Sequence, residues 1–230
     1  GVPFHSCESY IARLVAKGYK VAICEQMEDP ALAKGLVRRD IVRVVTPGTV
    51  TENSMLDESR NNYFASVYET SGRYGLCFCD LSTGSFYATS CSGDSAEERV
   101  INELGRFMPA EALLSGGAAA SCFLQSTLHD RLSCLVDRTS EKPDLAQCQQ
   151  IVERQFSAPC QSLGIAAVEE VILAAGQLLH TLRESQKADL QHIRTLEYYV
   201  TGKFMELDLA ARRNLELTET LRSKEKRGSL

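Results

Sequence analysis

The chain has no apolar run approaching the roughly 20 residues that a membrane-spanning helix requires. Its first residues, Gly1–His5, are neither basic nor followed by the long apolar stretch of a signal peptide. It has no CxxC pair, and its four histidines (His5, His129, His180 and His192) are scattered, so the clustered ligands of a zinc site are missing. No GxSxG elbow is present. The only Gly-rich stretch, Gly116-Gly117 followed by three alanines, lacks the GKS or GKT ending of a phosphate-binding loop and reads as a loop. No sequence signal pairs a cysteine with a histidine as nucleophile and base. Internal repeats and low-complexity tracts are also lacking. What is present in some abundance is cysteine: nine, an odd number, mostly inside apolar runs such as those around Cys24, Cys77, Cys79 and Cys134. They read as buried reduced thiols of a cytoplasmic protein.

At 230 residues, with 44% apolar and 24% charged residues, the chain has material for one large domain or two small ones. The Gly-Val-Pro start and the Gly228-Ser229-Leu230 end read as cuts, so an internal piece of a longer protein is expected. Charge divides the chain more sharply than its net −5 suggests. Residues 1–46 carry 7 basic and 5 acidic residues, residues 47–202 carry 11 and 20, and residues 203–230 carry 7 and 5. Phosphate affinity rests on Lys and Arg replacing condensed counterions. The acidic middle part is therefore expected to face protein rather than DNA.

Residues 6–17 read as a helix, with Ser6 as N-cap, Tyr10, Ile11, Leu14 and Val15 on one face, and Gly18 as C-cap. Lys20–Cys24 and Ile41–Val45 read as strands, joined by an acidic turn (Glu25, Glu28, Asp29, Pro30) and a basic segment. Thr46–Asn62 reads as a linker. Three strands follow, Tyr63–Glu69, Tyr74–Leu81 and Ser85–Ala88, separated by Ser71-Gly72 and Ser82-Thr83-Gly84. Helices are expected near Ser95–Arg106 (with a Ser95/Glu98 capping box), Ser121–Leu128, Pro143–Gln155 and Ile165–Ser185, and strands at Ala112–Leu114 and Cys134–Val136. A meander followed by alternating helices and strands is an α/β domain built on a mixed sheet. A last helix-like segment spans Leu209–Leu221.

Two constellations invite chemistry. Asp80 is the only acid in a strand core, whereas two-metal nuclease sites need several converging carboxylates. Asp94, Glu103, Asp137 and Asp144 have no spacing that forces convergence, so Asp80 reads as the cap of the turn through Ser82-Thr83-Gly84. A ribonuclease-H-like nuclease using Asp80 is the rival reading. Lys34, Arg38, Arg39 and Arg43 place four cations within ten residues and could pair with backbone phosphates. A solvated strand edge would look the same. A general, non-specific DNA-binding module is the second rival.

The string from Gly18 to Val50, the preceding GVPFH (Gly1–His5), the segment Asp80–Phe86 and the later MELDLAARRNLEL (Met205–Leu217) resemble the bacterial MutS family of DNA mismatch repair proteins, in matching order. The resemblance implies four parts: the end of a mismatch-recognition domain (1–46), a linker (47–62), a non-catalytic ribonuclease-H-like connector domain (63–185) and the start of a lever/core region (186–230). It implies backbone contact with mismatched duplex DNA through Lys34, Arg38, Arg39 and Arg43, with Gly1–His5 approaching the backbone as well. It also implies a MutL-facing surface on the connector, for which Gln149 and Gln150 are candidates, and a homodimer in the full-length protein. No catalytic residue, metal or cofactor is expected in these residues, ATP and Mg²⁺ belonging to a domain far downstream. The family's Phe-x-Glu wedge has no match here, so mismatch discrimination itself is not expected of this stretch. Ala211 stands where the family usually has Thr, and Arg212 and Arg213 are expected to meet carboxylates of the core. The implied role is coupling between DNA-reading and lever regions.

Overall fold

A computed structural model describes residues 2–29, 35–52, 55–56 and 60–201. Lys34 and the expected helix Leu209–Leu221 lie outside the described residues, as do Arg212 and Arg213.

Helix α1 (Phe4–Val15) starts before Ser6, with Pro3 in the capping position. Ser6 Oγ donates back to the Pro3 carbonyl (3.1 Å), so Ser6 is a first-turn residue and not the cap. Gly18, at φ +80°, turns the chain out of the helix: its N–H meets the Val15 carbonyl and Tyr19 N–H meets that of Leu14. Strands β1 (Val21–Gln26) and β2 (Arg39–Val45) pair antiparallel, from Val21 opposite Val45 to Gln26 opposite Arg39. One apolar cluster closes this N-terminal unit: Ile11, Val15, Val45 and Val50, with Val21, Ile23, Met55 and Leu56 packed against it. The segment expected as a linker is docked at its start, where Thr46, Gly48, Thr49 and Val50 are buried around a 3-10 turn, Pro47–Thr49. Its backbone is satisfied internally, Thr46 N–H donating to Thr49 Oγ1 at 2.9 Å.

The larger part is a six-stranded mixed sheet, β3 (Tyr63–Thr70), β4 (Arg73–Asp80), β5 (Ser85–Cys91), β6 (Glu111–Gly116), β7 (Leu135–Arg138) and β8 (Glu197–Tyr198), in the order β7-β6-β3-β4-β5-β8. The β3-β4-β5 meander is antiparallel, while β6 joins β3, β7 joins β6 and β8 joins β5 in parallel. Antiparallel neighbours need only the short turns the sequence marks, whereas each parallel addition requires a crossover. Helix α2 (Ala96–Phe107) and α3 (Cys122–Ser126, running into a π turn at Thr127–Arg131) supply crossovers on one face. Helices α4 (Leu145–Phe156) and α5 (Glu169–Gln186) cover the other. Strand alternation separates the two cores. On β4, Leu76 and Phe78 meet α2 through Val100 and Leu104, and Cys77 and Cys79 meet α5 through Val171, Leu178 and Leu182.

Several expected boundaries shift for physical reasons. Ser95 makes no side-chain cap, so the capping box does not form; Glu97 and Glu98 favour the start of α2 as anions in its first turn. Asp144, not Pro143, opens α4, its Oδ2 accepting from Gln147 N–H at 3.1 Å. Residues 159–168 form turns that bury Ile165, and α5 begins only at Glu169. The short β8 was not expected. It extends the sheet beyond Ser185, where the sequence places the domain's end, and contacts remote in sequence hold it. Tyr199 N–H donates to the Ala88 carbonyl (3.0 Å), Tyr199 Oη to Glu103 Oε2 (2.5 Å) and Thr89 Oγ1 to the Tyr199 carbonyl (2.7 Å). Upstream, Gln155 Nε2 donates to the Leu190 and Ile193 carbonyls, and His192 Nε2 donates to that of Leu81.

Helix α5 sits unusually close to its neighbours. A Cβ built on Gly75 of β4 would lie 2.0 Å from the Glu170 carbonyl oxygen, and one on Gly176 would lie 2.5 Å from Cys148 Cβ on α4. Gly75→Ala is therefore expected to lower stability by about 1–3 kcal/mol, the range for an overpacked core. Calorimetry would register this as a lower Tm, and an unchanged Tm would contradict the close approach.

Candidate nucleic-acid interface

The far end of the β1–β2 pair carries the cations nominated from sequence. Met27 N–H donates to the Arg38 carbonyl (2.9 Å) and Arg38 N–H to Glu28 Oε1 (2.6 Å), which pins both ends of the connection. Arg38 is 75% exposed, with Asp40 at 4.0 Å as a loose partner, and Arg39 is exposed beside it. Such a long contact between exposed groups is worth little, which leaves the guanidinium available to an anion.

Arg43 does not join them. The register steps from Ile23 opposite Arg43 to Cys24 opposite Ile41, a bulge that leaves Val42 without a partner. Beyond it, the half-buried Arg43 pairs with Glu52 and donates to Thr51 Oγ1 (3.0 Å) and the Thr49 carbonyl (3.2 Å). Burial acts to raise the Glu52 pKa, but the Arg43 hydrogen bond and charge outweigh it and hold the carboxyl below its ordinary value. Arg43 is thus a brace for the turn after β2. The sequence, which shows only spacing, does not reveal the bulge that parts it from Arg38 and Arg39.

The other nominated residues also resolve into distinct environments. Gln149 Nε2 is committed to Glu153 Oε1 (3.0 Å), which in turn accepts from Cys160 N–H (3.0 Å). Gln150, its neighbour on α4, is exposed. Asp80 is fully buried: Oδ1 accepts from Ser82 N–H (2.9 Å), Ser82 Oγ (2.6 Å) and Thr83 N–H (3.4 Å), and Oδ2 from Asn62 N–H (3.2 Å). Its lone pairs serve the turn and the chain entering β3, as a turn-capping Asp does. Among the described residues no three His, Cys, Asp or Glu side chains gather as a metal site would require.

Sequence reasoning missed a buried carboxylate at the meeting of the two parts. Glu111, the first residue of β6, is 1% exposed and faces the docked turn. Its Oε2 accepts from Thr46 Oγ1 and from Gly48 N–H (3.0 Å), while Lys20 Nζ lies 3.5 Å from Oε1 and also pairs with Asp137 of β7. Burial pushes the Glu111 pKa up, against the opposing pull of the Thr46 hydroxyl, Lys20 and the Gly48 N–H. The available signal was a carboxylate opening the otherwise apolar strand of Ala112–Leu114.

The strand order β5-β4-β3-β6-β7, with two antiparallel and two parallel pairings, defines a ribonuclease-H-like mixed α/β domain, here joined to an N-terminal unit with a cationic end. Residues 1–54 match the profile of MutS domain I, and residues 62–194 match that of MutS domain II. The chain belongs to the MutS family. It is 45% identical over its whole length to the DNA mismatch repair protein MutS of Ruminiclostridium cellulolyticum, 44% to that of Acetivibrio thermocellus and 41% to that of Syntrophomonas wolfei. It spans about a quarter (26–27%) of the length of these relatives.

The Glu52 carboxyl, held below its ordinary value, gives a pH prediction. A depressed acid stabilises the fold above its unfolded pKa of about 4.5, and that contribution disappears as pH falls through the lower folded value. Glu52→Gln is expected to lower Tm at neutral pH and to shrink the Tm loss on acidification. Parallel acid titrations of Tm in both proteins test this, and identical slopes would refute it.

Proposed function

We propose that the chain works in DNA mismatch repair, as the part of a larger MutS-type protein that joins a DNA-holding unit to the regions beyond it. Membership of the MutS family across the whole length carries this reading. The charge partition supports it: the exposed Arg38–Arg39 end suits phosphate contact, and the acidic sheet domain suits a protein partner. In this reading Arg38 and Arg39, with Lys34, touch the backbone of mismatched duplex DNA, and Arg43 braces the strand that presents them. The sheet domain offers its acidic side to MutL, with Gln150 at the contact. Gln149 is the weaker contact because its amide is already bonded within α4. ATP and Mg²⁺ act in a downstream domain, and the full-length protein is a homodimer of the cytoplasm.

Duplex binding by the 230-residue chain should weaken steeply with salt. Arg38→Ala together with Arg39→Ala should reduce affinity at every salt and flatten the log–log slope by about 0.9 for each phosphate that is no longer neutralised. Fluorescence anisotropy of a labelled duplex reads both quantities. Binding no better than that of an acidic control protein at low salt would overturn the proposed DNA contact.

The partner half has its own test, a pull-down of the chain with ATP-bound MutL. Retention is expected, and retention that survives deletion of residues 63–185 would sink the connector's role.

A further inference from the structure

The apolar cluster of the N-terminal unit draws its members from Cys7 to Leu56, and the two clusters of the sheet domain draw theirs from Tyr63 onward. No described side chain bridges them, so no shared hydrophobic core fuses the two units. Helix α5 runs near β2 and the Pro47–Thr49 turn without adding a residue to the N-terminal cluster. Specific contacts across the junction are polar. Glu111 Oε2 receives Thr46 Oγ1 and Gly48 N–H, Lys20 lies between Glu111 and Asp137, and Asn62 Nδ2 donates to the Pro47 carbonyl at 2.8 Å. The fit is close, since a Cβ on Gly48 would sit 2.7 Å from Glu111 Cβ. Beside it opens a cleft of about 430 Å³, with Ala16, Lys17 and Gly18 on one wall and Ala110, His129 and Leu135 on the other. The junction thus combines a dense polar contact and a close approach of Gly48 to Phe64 with open space beside them, while the apolar clusters of the two units remain separate.

We infer that Glu111, Lys20 and Asp137 form a carboxylate–lysine–carboxylate clasp that sets the pose of the N-terminal unit on the sheet domain. Lys20 precedes β1, Glu111 opens β6 and Asp137 lies within β7, so the clasp ties one unit to two neighbouring strands of the other. Lys20 is a positioning residue: 41% exposed, it adds little packing, and its charge offsets a carboxylate that is 1% exposed. Removing that charge leaves two neighbouring acids of the sheet domain without the cation that ties them to the N-terminal unit, one of them buried, so the junction loses its ionic anchor. The open cleft gives the N-terminal unit room to swing. Through the clasp, the orientation of the Arg38–Arg39 end is fixed relative to the sheet.

The exposed Cys24 on β1 and Cys122 at the start of α3 place a native spin-label pair across the junction. In a Cys7→Ser background, double electron–electron resonance between them reads the pose. The parent should give one narrow distance distribution. Lys20→Gln, Asp137→Asn and Glu111→Gln should each broaden it and shift its mean. Lys187→Gln, which removes only an exposed pairing with Glu184 at the end of α5, should leave it unchanged. A parent distribution already broad, or a Lys20→Gln distribution as narrow as the parent's, overturns the inference. Should Glu111→Gln fail to fold, Lys20→Gln and Asp137→Asn alter partly exposed side chains and decide the matter alone.

Discussion

A carboxylate removed from water costs several kcal/mol unless hydrogen bonds and a counter-charge replace its hydration. At Glu111 that replacement comes entirely from the other side of a junction: a hydroxyl and an amide from the docked turn, and an ammonium from the residue before β1. The relation is mutual. Without Glu111 the buried Thr46 hydroxyl and Gly48 N–H would lose an acceptor, and without Thr46, Gly48 and Lys20 the carboxylate would lose its solvation. Much of the architecture is arranged around this exchange. Strand β6 must present its first residue at the sheet's end, the Pro47–Thr49 turn must pack edge-on, and β1 must begin close enough for Lys20 to reach β6 and β7 together.

The same economy of polar contacts appears elsewhere. Asp80 satisfies the turn after β4 and the backbone entering β3, so one side chain serves both ends of a hairpin pair. Gln155 holds two carbonyls of the segment that returns to the sheet, while Arg183 donates to the Gln155 side-chain oxygen. In each case a side chain supplies what an irregular backbone lacks. The apolar cores need no such help, since alternation along β3 to β6 fills both faces with helices.

The meander, the two faces and most helices were legible because their signals are local: alternation, helical spacing and turn residues. What escaped was set at a distance. Strand β8 has two paired residues and no period of its own; β5, Glu103 and Thr89 create it. The linker's polar and small residues, Thr46, Thr49 and Gly48, give no local sign of burial; their acceptor Glu111 lies far along the chain. Of the four cations grouped by spacing, the bulge at Val42 sends Arg43 to an internal carboxylate, and Lys34 lies outside the described residues. Exposed Arg38 and Arg39 stand where the spacing put them. The two glutamines, adjacent in sequence, part at the level of one hydrogen bond, which no helical-wheel argument resolves.

The direction of the last strand has a mechanical corollary. Strands β3, β5 and β8 all run the same way, so the chain enters the sheet along β3 and leaves along β8 pointing onward. A pull between residues 62 and 199 draws the first strand backward and the last forward. That load falls as shear, which the long β3–β4 and β4–β5 ladders share among many hydrogen bonds, whereas the β5–β8 ladder has only two residue pairs to carry it. Tension along the chain would therefore release β8 first and leave the meander standing.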